Sequence, residues 1–102
     1  MKLKKFKIGD INVFDESINV IKDHQTKVKI LTRLQRLANG NRGDYKNIGG
    51  SLYELRIPTG KGWRVYYYDH GNEIILLMLT GNKATQSKDI TKIKGWIKNG
   101  LI

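Results

Sequence analysis

The sequence predicts one small α+β domain, and three features predict it. Apolar residues recur at helical spacing over residues 10–23, 25–39 and 87–98. They alternate with polar residues over 51–58 and 63–69, as in half-buried strands, and turn-forming residues separate the segments. The length of 102 residues suits a single domain. A chain of this size buries only about 65% of the surface its unfolded form exposes, so stability is expected to be modest.

In chain order, residues 2–8 mix lysines with Leu3, Phe6 and Ile8, which predicts a short, charged, edge-like first strand. Phe14, Ile18 and Ile21 mark one face of a short helix over 10–23, with Asp10, Asn12 or Asp15 able to cap it. Over 25–39 the row Ile30, Leu34, Leu37 is widened by Leu31 and Ala38, while Lys27, Lys29, Arg33 and Arg36 lie mostly on the other side. Gly40 falls where a helix ends in the left-handed conformation. The short polar link before this helix predicts an antiparallel helix hairpin. Residues 39–50 read as a loop from their Asn, Gly and Arg content. Strand 51–58 sets Tyr53, Leu55 and Ile57 against Leu52, Glu54 and Arg56, and strand 63–69 sets Trp63, Val65 and Tyr67 against Arg64, Tyr66 and Tyr68. Residues 73–80 are apolar on both faces, as a buried central strand requires. After the turn Gly81-Asn82-Lys83, a last helix over 87–98 turns Ile90, Ile93 and Ile97 inward.

Composition narrows the function classes. The absence of cysteine removes disulfides, thiol nucleophiles and thiolate zinc sites. The longest apolar run, over 74–79, is far shorter than the roughly 20 residues that span a bilayer. The basic start, Met1-Lys2-Leu3-Lys4-Lys5-Phe6-Lys7, lacks the apolar stretch of a signal peptide, so a cytoplasmic location without membrane attachment is expected. Nineteen Lys and Arg against 9 Asp and Glu give a formal charge of +10, which favours a polyanionic partner.

His24 and His70 stand in separate loops with no ligand spacing, and the acids form no cluster suited to metal ions. Gly60-Lys61-Gly62 joins two strands and reads as a hairpin turn, not a phosphate-cradling loop. What remains is a set of cations and aromatics on the sheet. If strands 51–58 and 63–69 pair as a hairpin, Arg56 and Arg64 share a surface, and Lys83 lies just past the end of the next strand. Two readings fit. The guanidinium groups hold a phosphate bidentately while Tyr66 and Tyr68 stack on bases, or Glu54 pairs with one arginine and the tyrosines are half-buried sheet residues.

The stretches Leu52-Tyr53-Glu54-Leu55-Arg56-Ile57 and Gly62-Trp63-Arg64-Val65-Tyr66-Tyr67, followed by Gly81-Asn82-Lys83-Ala84-Thr85-Gln86-Ser87-Lys88-Asp89-Ile90, resemble the RelE/ParE superfamily of toxins. The likeness is to its phage-derived branch, the addiction-module killer proteins. Upstream, Leu37-Ala38-Asn39-Gly40-Asn41-Arg42-Gly43-Asp44-Tyr45-Lys46 is similar to a loop of the same branch, so the resemblance runs along nearly the whole chain in order. It implies an N-terminal strand and helix hairpin packed on an antiparallel meander, with a C-terminal helix.

The resemblance also implies the toxin of a type II toxin–antitoxin system: a growth-arresting, metal-independent mRNA endoribonuclease that works on the ribosome and needs no cofactor. Its implied antagonist is an antitoxin of helix-turn-helix type with an acidic or amphipathic segment. ParE-type relatives instead inhibit DNA gyrase without catalysis, which is the alternative. A phage-derived nucleic-acid-binding protein without toxicity is a third reading. Carried over position by position, Arg64, Arg56, Lys83 and Gln86 are the expected catalytic residues. Tyr66, Tyr68, Lys61 and Arg42 are the expected RNA contacts. Leu52 and Glu54 stand where RelE carries lysines, and no tyrosine follows Tyr68. Proton transfer is therefore expected from Lys83, Gln86 or a sheet tyrosine.

Overall fold

In the computed structural model, which describes residues 1–81 and 83–102, a five-stranded mixed sheet carries helices on both faces. Strand β1 (Lys2–Lys5) is followed by the two-residue strands β2 (Lys7–Ile8) and β3 (Ile11–Asn12), then by helices α1 (Val13–Asn19) and α2 (His24–Ala38). Strands β4 (Tyr45–Gly49), β5 (Leu52–Ile57), β6 (Trp63–Asp69) and β7 (Glu73–Thr80) come next. A 3₁₀ turn (Lys83–Thr85) leads into α3 (Gln86–Lys98). Asn82, in the middle of the expected Gly81-Asn82-Lys83 turn, lies outside the described residues.

The sheet order is β1-β7-β6-β5-β4, with β1 parallel to β7 and the remaining pairs antiparallel. The first strand is thus at an edge, as its lysines suggest, but it ends sooner than expected. Phe6 breaks it: its N–H still donates to Leu76 O at 2.9 Å, while its ring packs against Trp96 of α3 at 4.9 Å. The remainder of the 2–8 segment pairs with β3 in a separate two-stranded ribbon around Gly9, whose φ of +57° makes the turn.

Residues 39–50 are not all loop. Residues Tyr45–Gly49 form an edge strand against β5, with a register irregularity between Asn47 and Gly49. Only Ile48 on it is half buried and the rest are exposed, so it carries no apolar alternation to set against its turn-forming residues. The meander accordingly has four strands.

Alternation along the strands divides the apolar residues between two layers. Leu55, Ile57, Val65, Tyr67, Ile74, Leu76 and Leu79 pack with Phe14, Ile18 and Ile21 and with Ile30, Leu34 and Leu37 of α2. On the opposite face, Leu52, Tyr66 and Leu77 pack with Phe6 and with Ile93 and Trp96 of α3. Strand β7 serves both layers, as its uniform hydrophobicity predicts, with β6 rather than β7 at the centre of the sheet. Its register with β6 shifts at Leu77, since Tyr66 pairs with Met78 while Tyr67 pairs with Leu76.

The caps resolve the choices left open by the sequence. Asn12 caps α1, its Oδ1 accepting from Asp15 N–H at 2.9 Å, and Asp23 caps α2. Gly40 takes φ +90° just after α2. Leu31 does not widen the buried row of α2 but stands 50% exposed. In α3, Trp96 is buried beside Ile93, while Ile90 and Ile97 are half buried. No helix among the described residues is long and apolar enough to cross a membrane.

Candidate functional site

Strands β5 and β6 place the chemistry by their period of two. Leu52, Glu54 and Arg56 face the α3 side together with Arg64, Tyr66 and Tyr68, and the register sets Arg56 directly opposite Arg64 and Glu54 opposite Tyr66. Two cations opposed on neighbouring strands repel, and Glu54 offsets that repulsion. Its Oε1 lies 2.8 Å from Arg64 Nε and 3.5 Å from Arg56 Nε, so one carboxylate is shared by both guanidinium groups as an ion pair, although Oε1 and Arg64 Nε are not aligned as a hydrogen bond. Gln86, the first residue of α3, donates from Nε2 to Glu54 Oε2 at 3.2 Å, tying the start of that helix to the sheet.

Depth separates the members of this cluster. The Glu54 side chain is 2% exposed, that of Arg64 14% and that of Arg56 45%. A carboxylate is rarely buried so fully unless it is paired, and here the pairing turns both arginines toward one place. They line an open depression of about 170 Å³ together with Asp44, Ile57, Pro58, Gly62 and Trp63. Asp44 Oδ1 lies 3.9 Å from Arg56 Nη1 at its exposed rim. Arg56, Arg64 and Gln86 are thus brought together. Lys83 stands exposed on the turn into α3, three residues beyond Thr80, the β7 residue paired with Arg64.

The other expected contacts do not join this surface. Tyr66 is 0% exposed, so its ring is enclosed by the α3 layer and cannot stack on a base. Burial, reinforced by the charges of Glu54 and Asp89 against the opposing effect of Arg64, pushes its phenol up to about 12. The hydroxyl is buried and meets no hydrogen-bond partner among the described residues. Tyr66→Phe is therefore expected to leave stability unchanged or raise it by about 1 kcal/mol, because an unsatisfied buried hydroxyl carries a desolvation penalty. Urea unfolding of the two proteins checks this, and a loss above that size would mean that the hydroxyl is bonded.

Tyr68 is half buried against His70, with ring centroids 4.6 Å apart, and lies about 14 Å along the strand from Arg64. Lys61 sits over the Trp63 ring at 5.6 Å and lines, with Ser17, Val20 and Leu79 on the α1 side, a depression that meets the Arg56–Arg64 one only at Trp63. Arg42 is on that same side of the sheet and is engaged in structure. Its guanidinium lies 5.0 Å from the Tyr53 ring, donates to Tyr67 Oη at 3.4 Å and pairs with Asp69. The bond to Asp69 raises the Arg42 pKa above its ordinary value. Burial alone would raise that of Asp69, but the Gly71 N–H and Arg42 outweigh it and hold the carboxyl below the usual range. Arg42 therefore clamps the loop after α2 to the sheet and does not extend the Arg56–Arg64 surface.

The residue that the sequence underrates is Glu54. Pairing with a single arginine is one of the two readings of the pattern, whereas the side chain holds both arginines and Gln86. The signal available was an acid at an inward-facing strand position between Leu52 and Arg56, where an unpaired charge would be costly. Among the described residues, no group of three His, Cys, Asp or Glu side chains is arranged to hold a metal ion.

No protein-family model matches the chain. It is 40% identical over 81 residues to an uncharacterized protein of Haemophilus influenzae, a match covering 79% of this chain and 82% of that relative. At that identity and coverage, the chain belongs to the same family as the uncharacterized Haemophilus influenzae protein.

Proposed function

We propose that the chain is a RelE/ParE-type toxin of a type II toxin–antitoxin system, acting in the cytoplasm as a metal-independent, ribosome-dependent mRNA endoribonuclease. The observation that carries the reading is the Arg56–Arg64 pair, opposed across two strands and held by buried Glu54 at an open depression. Two guanidinium groups gathered at one carboxylate suit a phosphodiester whose negative charge grows during cleavage. In the proposed reaction the RNA 2′-oxygen forms a bond to the adjacent phosphorus as the bond to the 5′-oxygen breaks. The 2′-hydroxyl gives up its proton and the leaving oxygen gains one, so the products are a 2′,3′-cyclic phosphate and a 5′-hydroxyl.

Of the expected proton-transfer groups, Tyr66 is enclosed and Gln86 carries no titratable group. Lys83 is exposed on the turn into α3 and its ammonium can donate, and it is the group we assign to proton transfer. Arg64, the deeper arginine, is assigned to the developing charge and Arg56 to the approaching strand. The net charge of +10 supports both an RNA target and an antitoxin with an acidic, amphipathic segment.

Induction in a bacterial host tests the reading, with new mRNA 5′ ends mapped alongside a gyrase supercoiling assay. The expected result is growth arrest, new 5′ ends within translated messages and undisturbed supercoiling. Arrest with intact messages and lost supercoiling would replace the nuclease with a gyrase inhibitor. Unimpeded growth while folded protein accumulates would remove the toxin reading altogether.

A further inference from the structure

We infer that the basic side of α2 forms a second RNA-backbone subsite, continuous with the Arg56–Arg64 depression around the β5–β6 hairpin. The inference rests on the nucleic-acid reading above and deepens it by giving the strand a path. A depression of about 240 Å³ lies between α2 and the hairpin, lined by Val28, Lys29, Arg33, Arg36, Ile57 and Pro58, with Thr32 and Thr59 completing its wall. Ile57 and Pro58 also line the Arg56–Arg64 depression, so the two adjoin across the same two residues.

Most of the cations make no ion pair among the described residues, and three of these are gathered in this one recess. Lys4, Lys5, Arg42, Arg56 and Arg64 each have a carboxylate partner. Lys29, Arg33 and Arg36 make no ion pair among the described residues, although they share one recess. Cations gathered without a counter-charge repel, a cost that a bound polyanion removes. Arg36 gains something from the C-terminal end of α2, whose last turn it occupies. Lys29 and Arg33 lie further from that end.

Arg33 is also fixed in place. Its Nη2 donates to Arg42 O at 3.1 Å, and Gly43 packs so closely that a Cβ there would come within 2.0 Å of the guanidinium. A half-buried, immobilised guanidinium with no acid beside it is ready to receive an oxyanion with little loss of side-chain freedom. The exposed side chains of Val28 and Pro58 offer apolar contact to a sugar or base. Two adjoining cationic recesses can take different phosphates of one strand, whereas a free anion would fill only one.

The test is fluorescence anisotropy of a labelled 12-nucleotide single-stranded RNA across a salt series. The wild-type chain is compared with Lys29→Gln/Arg36→Gln, both at exposed positions, with Arg33→Gln, and with Lys2→Gln/Lys98→Gln as an equal-charge control away from the recess. Each lost phosphate contact should flatten the slope of log affinity against log salt by about 0.7, so the α2 double variant should be shallower by about 1.4 and bind roughly tenfold more weakly at low salt. The control should keep the wild-type slope.

An α2 double variant indistinguishable from the control would overturn the inference, as would a wild-type chain that binds no RNA. Displacement of the RNA by inorganic phosphate at equal concentration would also overturn it and reassign the recess to a free anion. Arg33→Gln counts only where its melting temperature is unchanged, and the exposed double variant decides the question without it. Cleavage of ribosome-bound mRNA by the wild-type chain is scored separately, so a failed subsite with intact cleavage removes this inference and leaves the proposed function standing.

Discussion

Glu54→Ala is expected to destabilise the fold by about 3–5 kcal/mol, the range for removing one partner of a buried ion pair. The loss has several parts. Arg64, whose side chain is only 14% exposed, is left without its carboxylate and faces Arg56 directly across the strand pair. Gln86 loses the acceptor that ties the first turn of α3 to the sheet. A void opens beside Leu52 and Tyr66 in the α3 layer. Glu54→Gln keeps the volume and an acceptor for Gln86 but loses the charge, so its cost should fall well below that of alanine. Urea unfolding monitored by tryptophan fluorescence reads both, because Trp96 lies in the α3 layer. A Glu54→Ala loss below about 1 kcal/mol would mean that Arg56 and Arg64 do not depend on this carboxylate.

The largest functional effect is expected at Arg64. Removing one preorganised donor to a developing oxyanion typically costs about 10²–10³ in rate, so Arg64→Ala should lose that much cleavage and relieve growth arrest. Arg64→Lys should restore only part of it, since an ammonium cannot donate in the bidentate geometry. The shared carboxylate complicates the single variant, because alanine at this position also strips Glu54 of its nearest cation. The double variant Glu54→Gln/Arg64→Ala separates the two effects. Measured against Glu54→Gln, it no longer leaves a buried carboxylate short of a partner, and the full rate loss should persist. If instead the double variant matches Glu54→Gln in rate, Arg64 serves the fold and not the reaction.

How far the sequence reveals this architecture depends on where each residue's partners lie. The alternation of β5 and β6 is a local property with a period of two. It therefore places Arg56 and Arg64 on one surface before any coordinates are known, and the register agrees. The apolar rows of α1 and α2 are equally local, although α1 spans only Val13–Asn19 of the expected 10–23 and leaves Ile21 in the link before α2. Tyr66 has the same parity as Arg64, yet parity gives only the face and not the cover. That Phe6, Ile93 and Trp96 close over the ring is a tertiary fact carried by segments far apart in the chain. The same limit applies to β4, whose exposed edge residues show no apolar period, and to the β7 irregularity at Leu77, which moves one residue of an otherwise uniform strand. Arg42 is misplaced for a related reason: the loop after α2 reads as polar and solvated, while Asp69, Tyr53 and Tyr67 draw its guanidinium onto the opposite face.

The central claim is that the Arg56–Arg64 pair, held by Glu54, promotes attack of an RNA 2′-oxygen on its own phosphate. The most direct measurement is the end-group chemistry of ribosome-bound mRNA cut by the purified chain, compared with Arg64→Ala at equal concentration. The account predicts 5′-hydroxyl ends facing 2′,3′-cyclic phosphates or the 3′-phosphates derived from them, with cleavage by the variant reduced about 10²-fold or more. Ends bearing a 3′-hydroxyl and a 5′-phosphate would show attack by water, and with cleavage equal in the variant they would contradict the account.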